Sequence, residues 1–162
     1  MAAAAVVTIS DSAAHGKRID RSGPATAAVL RQHGFDVMQQ RVIVDDQSEI
    51  EQTLIQLAEH VQLIVTTGGT GIAERDVTPE ATRAVCSKLI DGIPQKMRAD
   101  GMQGTEFAIL SRGVCGVRGR SLILNLPGSP AGAVDSLQSV IEILPHAIDL
   151  LAGKTEHEEG LR

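Results

Sequence analysis

The chain contains neither tryptophan nor tyrosine, and its only phenyl rings are those of Phe35 and Phe107. Proteins that bind single-stranded nucleic acid stack the bases on aromatic side chains, and nucleic-acid-binding domains usually carry a strongly basic surface. This chain has a formal net charge of −5 at pH 7. The two shortages argue against a nucleic-acid-binding protein and predict a core built from aliphatic side chains.

Cysteine is also scarce, since only Cys86 and Cys115 are present and they lie far apart in the sequence. Such a pair fits reduced thiols in a cytoplasmic protein better than a disulfide framework. The five histidines are scattered and no CxxC pair occurs, so no zinc site is predicted. The apolar run over residues 1–10 is too short to span a membrane, and we interpret it as a buried first strand.

Strand and helix patterns alternate along the 162 residues. Strands are predicted over Ala3–Ser10, Phe35–Val44, Leu63–Thr67, Phe107–Ser111 and Ser121–Leu126. Helices are predicted from Pro24 to Gly34, from Ser48 to His60, from Thr78 onward, over Pro94–Met102 and over Ala131–Ile143, with a break at Pro145. This alternation predicts an α/β fold of three layers, α/β/α, with a mostly parallel central sheet. We expect one domain over residues 1–153 and a polar C-terminal tail over residues 154–162.

Local signals indicate where two of the helices begin. Ser48 and Glu51 have the spacing of a capping box, in which both side chains bond to backbone N–H groups at a helix start. Thr78 followed by Pro79 has the pattern of an N-cap and a first-turn proline. The segment over residues 11–23 is long for a connection between a strand and a helix, and such long connections are often functional.

Aspartates follow the predicted strands at the points where those strands end. Asp11 follows the first strand, Asp45 and Asp46 follow the second, and Asp76 lies just beyond the glycine-rich loop after the third. The carboxyl ends of parallel strands meet at one edge of a sheet, and ligands of open α/β sheets bind there. We therefore expect these carboxylates to share one ligand-binding edge, although each aspartate alone is more typical of a turn, a cap or a solvated surface.

The loop after the third strand reads TTGGTG over residues 66–71. Glycines let backbone N–H groups approach an anion closely, and threonine hydroxyls add donors. The loop is not a Walker A motif, because no GK[ST] follows, and it lacks the third glycine of a dinucleotide fingerprint. Taken alone, the pattern fits an ordinary glycine turn as well as a phosphate-binding loop.

An anion-binding loop beside several aspartates indicates a cation. Magnesium binds to one or two carboxylates together with substrate phosphates and water. The rigid turn over residues 127–130 precedes a helix whose free N–H groups would face a ligand. We expect Cys115 beside this site and Cys86 in the core. Arginines in loops are candidates for phosphate contacts, although each alone is more typical of a solvated surface charge; these are Arg21, Arg75, Arg112, Arg118 and Arg120.

Four motifs occur in a fixed order: TISDSAAHGKRIDRSGP, TTGGTGIAERDVTPEAT, LSRGVCGVRGR and LNLPGSP. With this order, residues 3–153 resemble the MogA/MoaB molybdopterin adenylyltransferase family, and residues 110–151 also resemble the corresponding domain of gephyrin. The shorter pattern GGTG…D would not by itself separate this family from MoeA-type or CinA-type domains of the same fold.

The resemblance implies transfer of an AMP group from Mg-ATP to molybdopterin, with release of pyrophosphate, in molybdenum cofactor biosynthesis. It implies Mg²⁺ as the cofactor, ATP as a co-substrate, a cytoplasmic homotrimer, and a transient contact with the molybdate-inserting enzyme. The two essential acidic positions of the family, which are catalytic and hold the metal, match Asp45 and Asp76, with Asp46 leaving a one-residue ambiguity. Residues at the ligand edge and family motif positions together give the predicted substrate-binding set: Ser10, Asp11, Asp20, Ser22, Gly23, Thr67, Gly68, Gly69, Thr70, Gly71, Ser111, Arg112, Pro127, Gly128 and Ser129.

Within that set the resemblance places residues 111–112 near the pterin, residues 127–129 near the nucleotide, and residues 69–71 at a phosphate. Two alternatives stay open. One is a non-catalytic molybdopterin carrier or scaffold, against which the intact aspartate pair argues. The other is a different nucleotide-handling enzyme of the CinA type, against which the DRSGP and SRGVCGVRG segments argue. The choice between molybdenum and tungsten is open as well.

Overall fold

A computed structural model describes residues 1–154, in which a six-stranded sheet lies between two layers of helices. The strands are β1 (Ala3–Ile9), β2 (Asp36–Ile43), β3 (Leu63–Thr67), β4 (Lys88–Leu89), β5 (Cys115–Arg118) and β6 (Ser121–Leu126). Their order is β2-β1-β3-β6-β5-β4, and β2, β1, β3 and β6 run parallel while β5 is antiparallel to both neighbours. The predicted three-layer α/β fold with a mostly parallel sheet is confirmed. Most of the predicted polar tail, residues 155–162, lies outside the described residues.

Seven α-helices and one 3-10 helix, Glu106–Leu110, connect the strands in the described part of the chain. The α-helices are α1 (Asp11–Ala14), α2 (Ser22–Gln32), α3 (Gln47–Ala58), α4 (Thr78–Val85), α5 (Gly92–Gly101), α6 (Pro130–Val140) and α7 (Leu144–Leu151). All five predicted helices are present, with ends that differ by a few residues. None of the helices in residues 1–154 combines the length and the apolar character needed to cross a membrane.

The central strands are buried on both faces, which explains their continuous apolar sequences. Along β1, Ala4 and Val6 pack into a cluster that includes residues of α2, α5, α6 and α7. The alternate residues Ala5 and Val7 pack into a second cluster with residues of α3 and α4. Side chains that alternate between two cores hold the strands in register, and this register brings the ends of β1, β2, β3 and β6 to one edge of the sheet.

The predicted strand over residues 107–111 is wrong, because this segment lies in the 3-10 helix and the residue after it. Phe107 is 70% exposed and Ile109 is 62% exposed, so the apolar run does not enter the core. The Thr105 hydroxyl accepts a hydrogen bond from the Phe107 N–H group at 3.3 Å and starts the 3-10 turn. The position next to β6 is taken instead by β5, which lies between the two strands predicted over residues 107–111 and 121–126.

Both predicted helix caps are wrong. Asp46 caps α3, because its carboxylate accepts the Glu49 N–H group at 2.9 Å, and Ser48 is inside the helix. Thr78 is the first residue of α4, and its buried hydroxyl donates to the Gly68 carbonyl at 3.0 Å. The predicted long loop after β1 contains the short helix α1, which Ser10 caps. The cap of α3 thus lies two residues before the predicted one, and the Thr78 side chain has a backbone partner outside its own helix.

A buried amide joins the sheet to α4. Asn125 on β6 is 1% exposed, and its Nδ2 donates to the hydroxyls of Thr66 and Thr82, each at 3.0 Å. Its Oδ1 accepts the buried Val114 N–H group at 3.1 Å. A buried polar group is stable only when it is hydrogen-bonded, and this side chain satisfies partners on three segments.

Replacing Asn125 with leucine is therefore expected to lower the free energy of unfolding by about 2 kcal/mol, since the Val114 N–H group would be buried without an acceptor. Urea denaturation followed by circular dichroism measures the change. Gln138→Leu, on the exposed side of α6, is the control and should change the free energy of unfolding by less than about 0.5 kcal/mol. Equal stability of the two variants would contradict the role given to this amide.

Candidate active site

Two adjacent clefts open at the edge of the sheet where β1, β2, β3 and β6 end, with volumes of about 620 and 680 Å³. Both clefts are lined by Gly69, Asp76, Gly128 and Ser129, and we call these four the dividing residues. They come from the glycine-rich loop after β3 and from the turn after β6. Two pockets that meet at one thin boundary can hold two ligands whose ends approach each other.

The first cleft has mostly polar walls. Its predicted members, besides the four dividing residues, are Ser10, Asp20, Ser22, Asp45, Thr67 and Gly68. Two exposed arginines, Arg18 and Arg21, also line it. Arg21 was a candidate from the sequence, whereas Arg18 was missed, although it is in the same long connection three residues earlier. A polar cleft with two arginines at its walls suits a phosphorylated ligand.

The second cleft has a more apolar character. Its predicted members are Thr70, Gly71, Ser111 and Pro127. Apolar side chains of α5 and the 3-10 helix complete it, among them Met97, Phe107 and Leu110. Phe107 and Leu110 were missed because the segment 107–111 was predicted as a strand, which would have removed them from any ligand. Met97 was missed because it lies in a predicted helix, where an apolar residue is typical of the core.

Asp11 and Asp45 bind each other's backbone. The Asp11 N–H group donates to Asp45 Oδ2 at 3.0 Å, and the Asp45 N–H group donates to Asp11 Oδ1 at 3.0 Å. Arg75 completes the arrangement with bonds to both Asp11 oxygens, at 2.6 and 3.0 Å, and a bond to the Asp45 carbonyl at 3.2 Å. These bonds join the ends of β1 and β2 to the loop after β3. Asp11 and Arg75 line neither cleft, so their part in the geometry is to hold Asp45.

The Asp45 carboxylate is in an environment that disfavours its charge. Burial raises its pKa above 3.8; the Asp11 N–H group lowers it, and the charges of Asp11 and Asp76 raise it again. In contrast, the hydrogen bond from Arg75 lowers the pKa of Asp11. A cation bound to Asp45 would relieve the repulsion, since an opposite charge nearby favours the ionised form.

Asp76, like Asp45, lies against the glycine-rich loop after β3. Its Oδ2 accepts the Ala73 N–H group at 3.0 Å, and a Cβ atom at Gly71 would lie 2.8 Å from the same oxygen. A Cβ atom at Gly69 would collide with the Thr78 hydroxyl and lie 3.2 Å from Asp45 Oδ1, and the φ angle of +68° there also favours glycine. The two carboxylates therefore approach neighbouring residues of one loop, which side chains at these positions would obstruct.

Asp45 and Asp46 differ in their position, because Asp45 lines the first cleft while Asp46 is exposed and caps α3. Within residues 1–154 no group of three or more His, Cys, Asp or Glu side chains is arranged to hold a metal ion. Asp45 and Asp76 could hold magnesium only together with oxygen ligands from a substrate or water, which is how this ion is commonly bound in phosphoryl-transfer sites.

Asp20 anchors the long connection that carries the two arginines. Its carboxylate accepts the Thr8 hydroxyl at 2.8 Å and the Gly23 N–H group at 3.1 Å, and the hydroxyls of Ser22 and Thr67 are 2.8 Å apart. A Cβ atom at Gly23 would lie 2.5 Å from Asp20 Oδ2, so only glycine fits beneath this carboxylate. Gly23 itself lines neither cleft, and its predicted substrate contact stays a prediction.

Several predicted residues lie elsewhere. Cys115 is 1% exposed within the core of β5, so its predicted place beside the site is wrong. Burial raises the pKa of its thiol to about 12, which makes it an inert core residue. Cys86 is half-buried directly after α4, at the margin of the second core cluster. Arg118 donates to the Val85 carbonyl, and Arg120 lies in the turn before β6, at the opposite edge of the sheet.

Arg112 lines neither cleft, although it was predicted to contact substrate. Its guanidinium instead bonds to the backbone of the glycine loop and to Glu80. Glu80 was not among the predicted residues, and no local pattern would have identified it, since its partner is 32 residues away.

Comparison with known proteins agrees with this fold. Residues 5–146 match the model of a family described as a probable molybdopterin binding domain. The molybdopterin adenylyltransferase of Helicobacter pylori strain J99 is 40% identical over 152 residues, which cover 91% of this chain and 86% of that protein. Gephyrin of Dictyostelium discoideum is 35% identical over 92% of this chain, which corresponds to 22% of gephyrin. The crystal structure of the molybdopterin biosynthesis enzyme MoaB from Thermus thermophilus has a TM-score of 0.90 and 44% identity, covering 95% of this chain and 98% of that chain.

The raised pKa of Asp45 generates a stability prediction. The folded state holds the Asp45 proton more tightly than the unfolded state, so the stability of the protein falls as the pH rises through the ordinary aspartate range toward the folded pKa. Asp45→Asn keeps an oxygen for the Asp11 N–H group and removes the charge. We expect this variant to be more stable than the wild type at pH 7, and we expect the advantage to disappear near pH 3.

Urea denaturation at a fixed protein concentration between pH 3 and 8 measures this difference. Asp46→Asn is the matched control, because asparagine caps a helix about as well as aspartate and no change in stability is expected. An Asp45→Asn variant no more stable than wild type at pH 7 would contradict this prediction. It would show that burial and the neighbouring charges do not destabilise the ionised Asp45 carboxylate.

Proposed function

This chain belongs to the family of molybdopterin-binding domains, and we propose that it is a molybdopterin adenylyltransferase that acts in molybdenum cofactor biosynthesis. Relatives that carry this name are about 40% identical over most of the chain. The observation that supports catalysis is the approach of Asp45 and Asp76 to the loop that separates the two clefts. A protein that only binds a pterin has no need of two such carboxylates at the boundary between two pockets.

The proposed reaction joins two anions. The terminal phosphate oxygen of molybdopterin attacks the α-phosphorus of ATP, a new phosphorus–oxygen bond forms, and the bond to pyrophosphate breaks. The acceptor phosphate is already ionised near neutral pH, so the reaction needs no general base. Catalysis then consists of positioning and charge neutralisation.

The residues of this chain supply those two requirements. Asp45 and Asp76 would hold Mg²⁺, which when bound neutralises phosphate charge and stabilises the leaving pyrophosphate. Arg18 and Arg21 would receive phosphates of the nucleotide in the first cleft. The backbone N–H groups of residues 69–71 would hold the acceptor phosphate at the boundary between the clefts.

The second cleft is the proposed place of the pterin. Its wall contains Ser111, which the sequence motif places near the pterin, and its apolar side chains suit a flat ring system. The turn over residues 127–129 borders both clefts and would contact the nucleotide. Magnesium dependence, a homotrimeric assembly, a cytoplasmic location and a contact with a molybdate-inserting enzyme are parts of the proposal that rest on the family resemblance.

Asp76→Asn is expected to reduce pyrophosphate release by about 100-fold or more, since a ligand of the cation that stabilises the transition state is lost. Purified protein, molybdopterin and Mg-ATP are mixed, and pyrophosphate and adenylyl-molybdopterin are quantified. Asp46→Asn is the control and should retain wild-type turnover, because Asp46 lies outside the cleft.

Turnover retained in Asp76→Asn would remove this residue from the mechanism. Loss of turnover in Asp46→Asn would indicate that Asp46, and not Asp45, is the second metal ligand. A wild-type protein that binds molybdopterin but releases no pyrophosphate would instead be a carrier or scaffold.

A further inference from the structure

Arg112 spans the loop that separates the two clefts. Its Nε donates to the Gly71 carbonyl at 2.7 Å, and its Nη2 donates to the Asp76 carbonyl at 2.9 Å. Its own N–H group donates to the Thr70 carbonyl at 2.8 Å. One side chain thus joins both ends of the segment 71–76, and its main chain holds the residue before that segment.

The position of the Asp76 carboxylate depends on this segment. Within residues 1–154 the carboxylate accepts one hydrogen bond, from the Ala73 N–H group, which belongs to the same segment. No side chain of another element orients it in this part of the chain. The direction in which Asp76 presents its oxygens to the clefts is therefore set by the backbone between residues 71 and 76.

Glu80 orients the guanidinium from the first turn of α4. Its Oε1 accepts Arg112 Nη1 at 2.5 Å, and the two side chains are 43% and 37% exposed. An ion pair with this exposure contributes little free energy by itself. Its Oε2 is buried and has no hydrogen-bond partner among the described residues. The ion pair therefore acts by orienting Arg112. A planar guanidinium held by a carboxylate can direct its remaining N–H groups at the two carbonyls of residues 71 and 76.

We propose that Arg112 is a positioning residue that sets the place of the Asp76 carboxylate, that Glu80 orients it, and that Arg112 does not contact a substrate. This inference rests on the proposed function, because it gives Asp76 a role in holding magnesium. It replaces the substrate contact that the sequence motif implied for Arg112. The cleft walls support it, since Arg112 lines neither of them while Asp76 lines both.

Arg112→Met tests the proposal, since methionine keeps the apolar stem and removes all N–H donors of the side chain. We expect kcat to fall about 10- to 100-fold and the magnesium concentration at half-maximal rate to rise about tenfold, the range typical of residues that orient a metal ligand. The Kd for molybdopterin, measured by its fluorescence, should stay within about twofold of the wild-type value. Calorimetric titration of the ATP-loaded protein with Mg²⁺ provides a readout that does not depend on turnover.

Arg112→Lys separates geometry from charge. An ammonium group is a point charge that cannot bridge three acceptors, so this variant should show most of the loss seen with methionine. Glu80→Gln keeps an oxygen acceptor and should retain more than half of the wild-type kcat, whereas Glu80→Ala should lose several-fold. Arg118→Met is the matched control, because it also removes an arginine bond to a main-chain carbonyl, at the opposite edge of the sheet, and should leave kcat and magnesium affinity unchanged.

The outcomes separate the two proposals. A tenfold rise in the Kd for molybdopterin with unchanged kcat in Arg112→Met, restored by Arg112→Lys, would assign a substrate contact and overturn the positioning role. Wild-type magnesium affinity and kcat in Arg112→Met, with Asp76→Asn inactive, would overturn positioning alone. Full activity in Asp76→Asn would overturn the metal site on which both depend. If Arg112→Met does not fold, Arg112→Lys decides by the same two measurements.

Discussion

The exchange of hydrogen bonds between Asp11 and Asp45 is the interaction on which the site depends. Each carboxylate accepts the other residue's N–H group, so the ends of β1 and β2 are held at a fixed separation. The two carboxylates repel each other, and the guanidinium of Arg75 offsets this repulsion by binding both oxygens of Asp11. One oxygen of Asp45 is used in the exchange, and the other lies near Gly69. The residue two positions after β2 thus presents its carboxylate to the first cleft.

Both proposed catalytic aspartates are held in the same way. Arg75 donates to the main-chain carbonyl of Asp45, and Arg112 donates to that of Asp76. Each arginine is also bound to a carboxylate outside the clefts, Asp11 or Glu80. A guanidinium with several N–H groups in one plane can serve a carboxylate and a carbonyl at once, which an ammonium group cannot do as rigidly. The arginines fix the backbone and leave part of each aspartate side chain for a ligand.

The sequence was sufficient for features that depend on local pattern and topology. The short run LIVTT identified β3 with its observed ends, and the rule for parallel sheets brought Asp45 and Asp76 to one edge. The strand predicted over residues 107–111 was wrong, because apolar character does not reveal which of two neighbouring segments takes a place in the sheet. The roles of Arg75 and Arg112 were not predictable, since their partners are between 30 and 64 residues away and include main-chain carbonyls that no motif encodes.

The glycines of the loop after β3, which separates the two clefts, explain why a reaction between two anions can take place there. A Cβ atom at Gly69 or Gly71 would occupy the space beside an aspartate oxygen. Asp76 lines both clefts and Asp45 lines the first, so a ligand in either cleft reaches at least one of the two carboxylates. The charge on Asp45 is disfavoured, because burial and the charges of Asp11 and Asp76 raise the pKa of this carboxyl. A carrier would gain by losing that charge, whereas an enzyme that gathers a cation and two phosphates needs it, and this difference favours catalysis over simple binding.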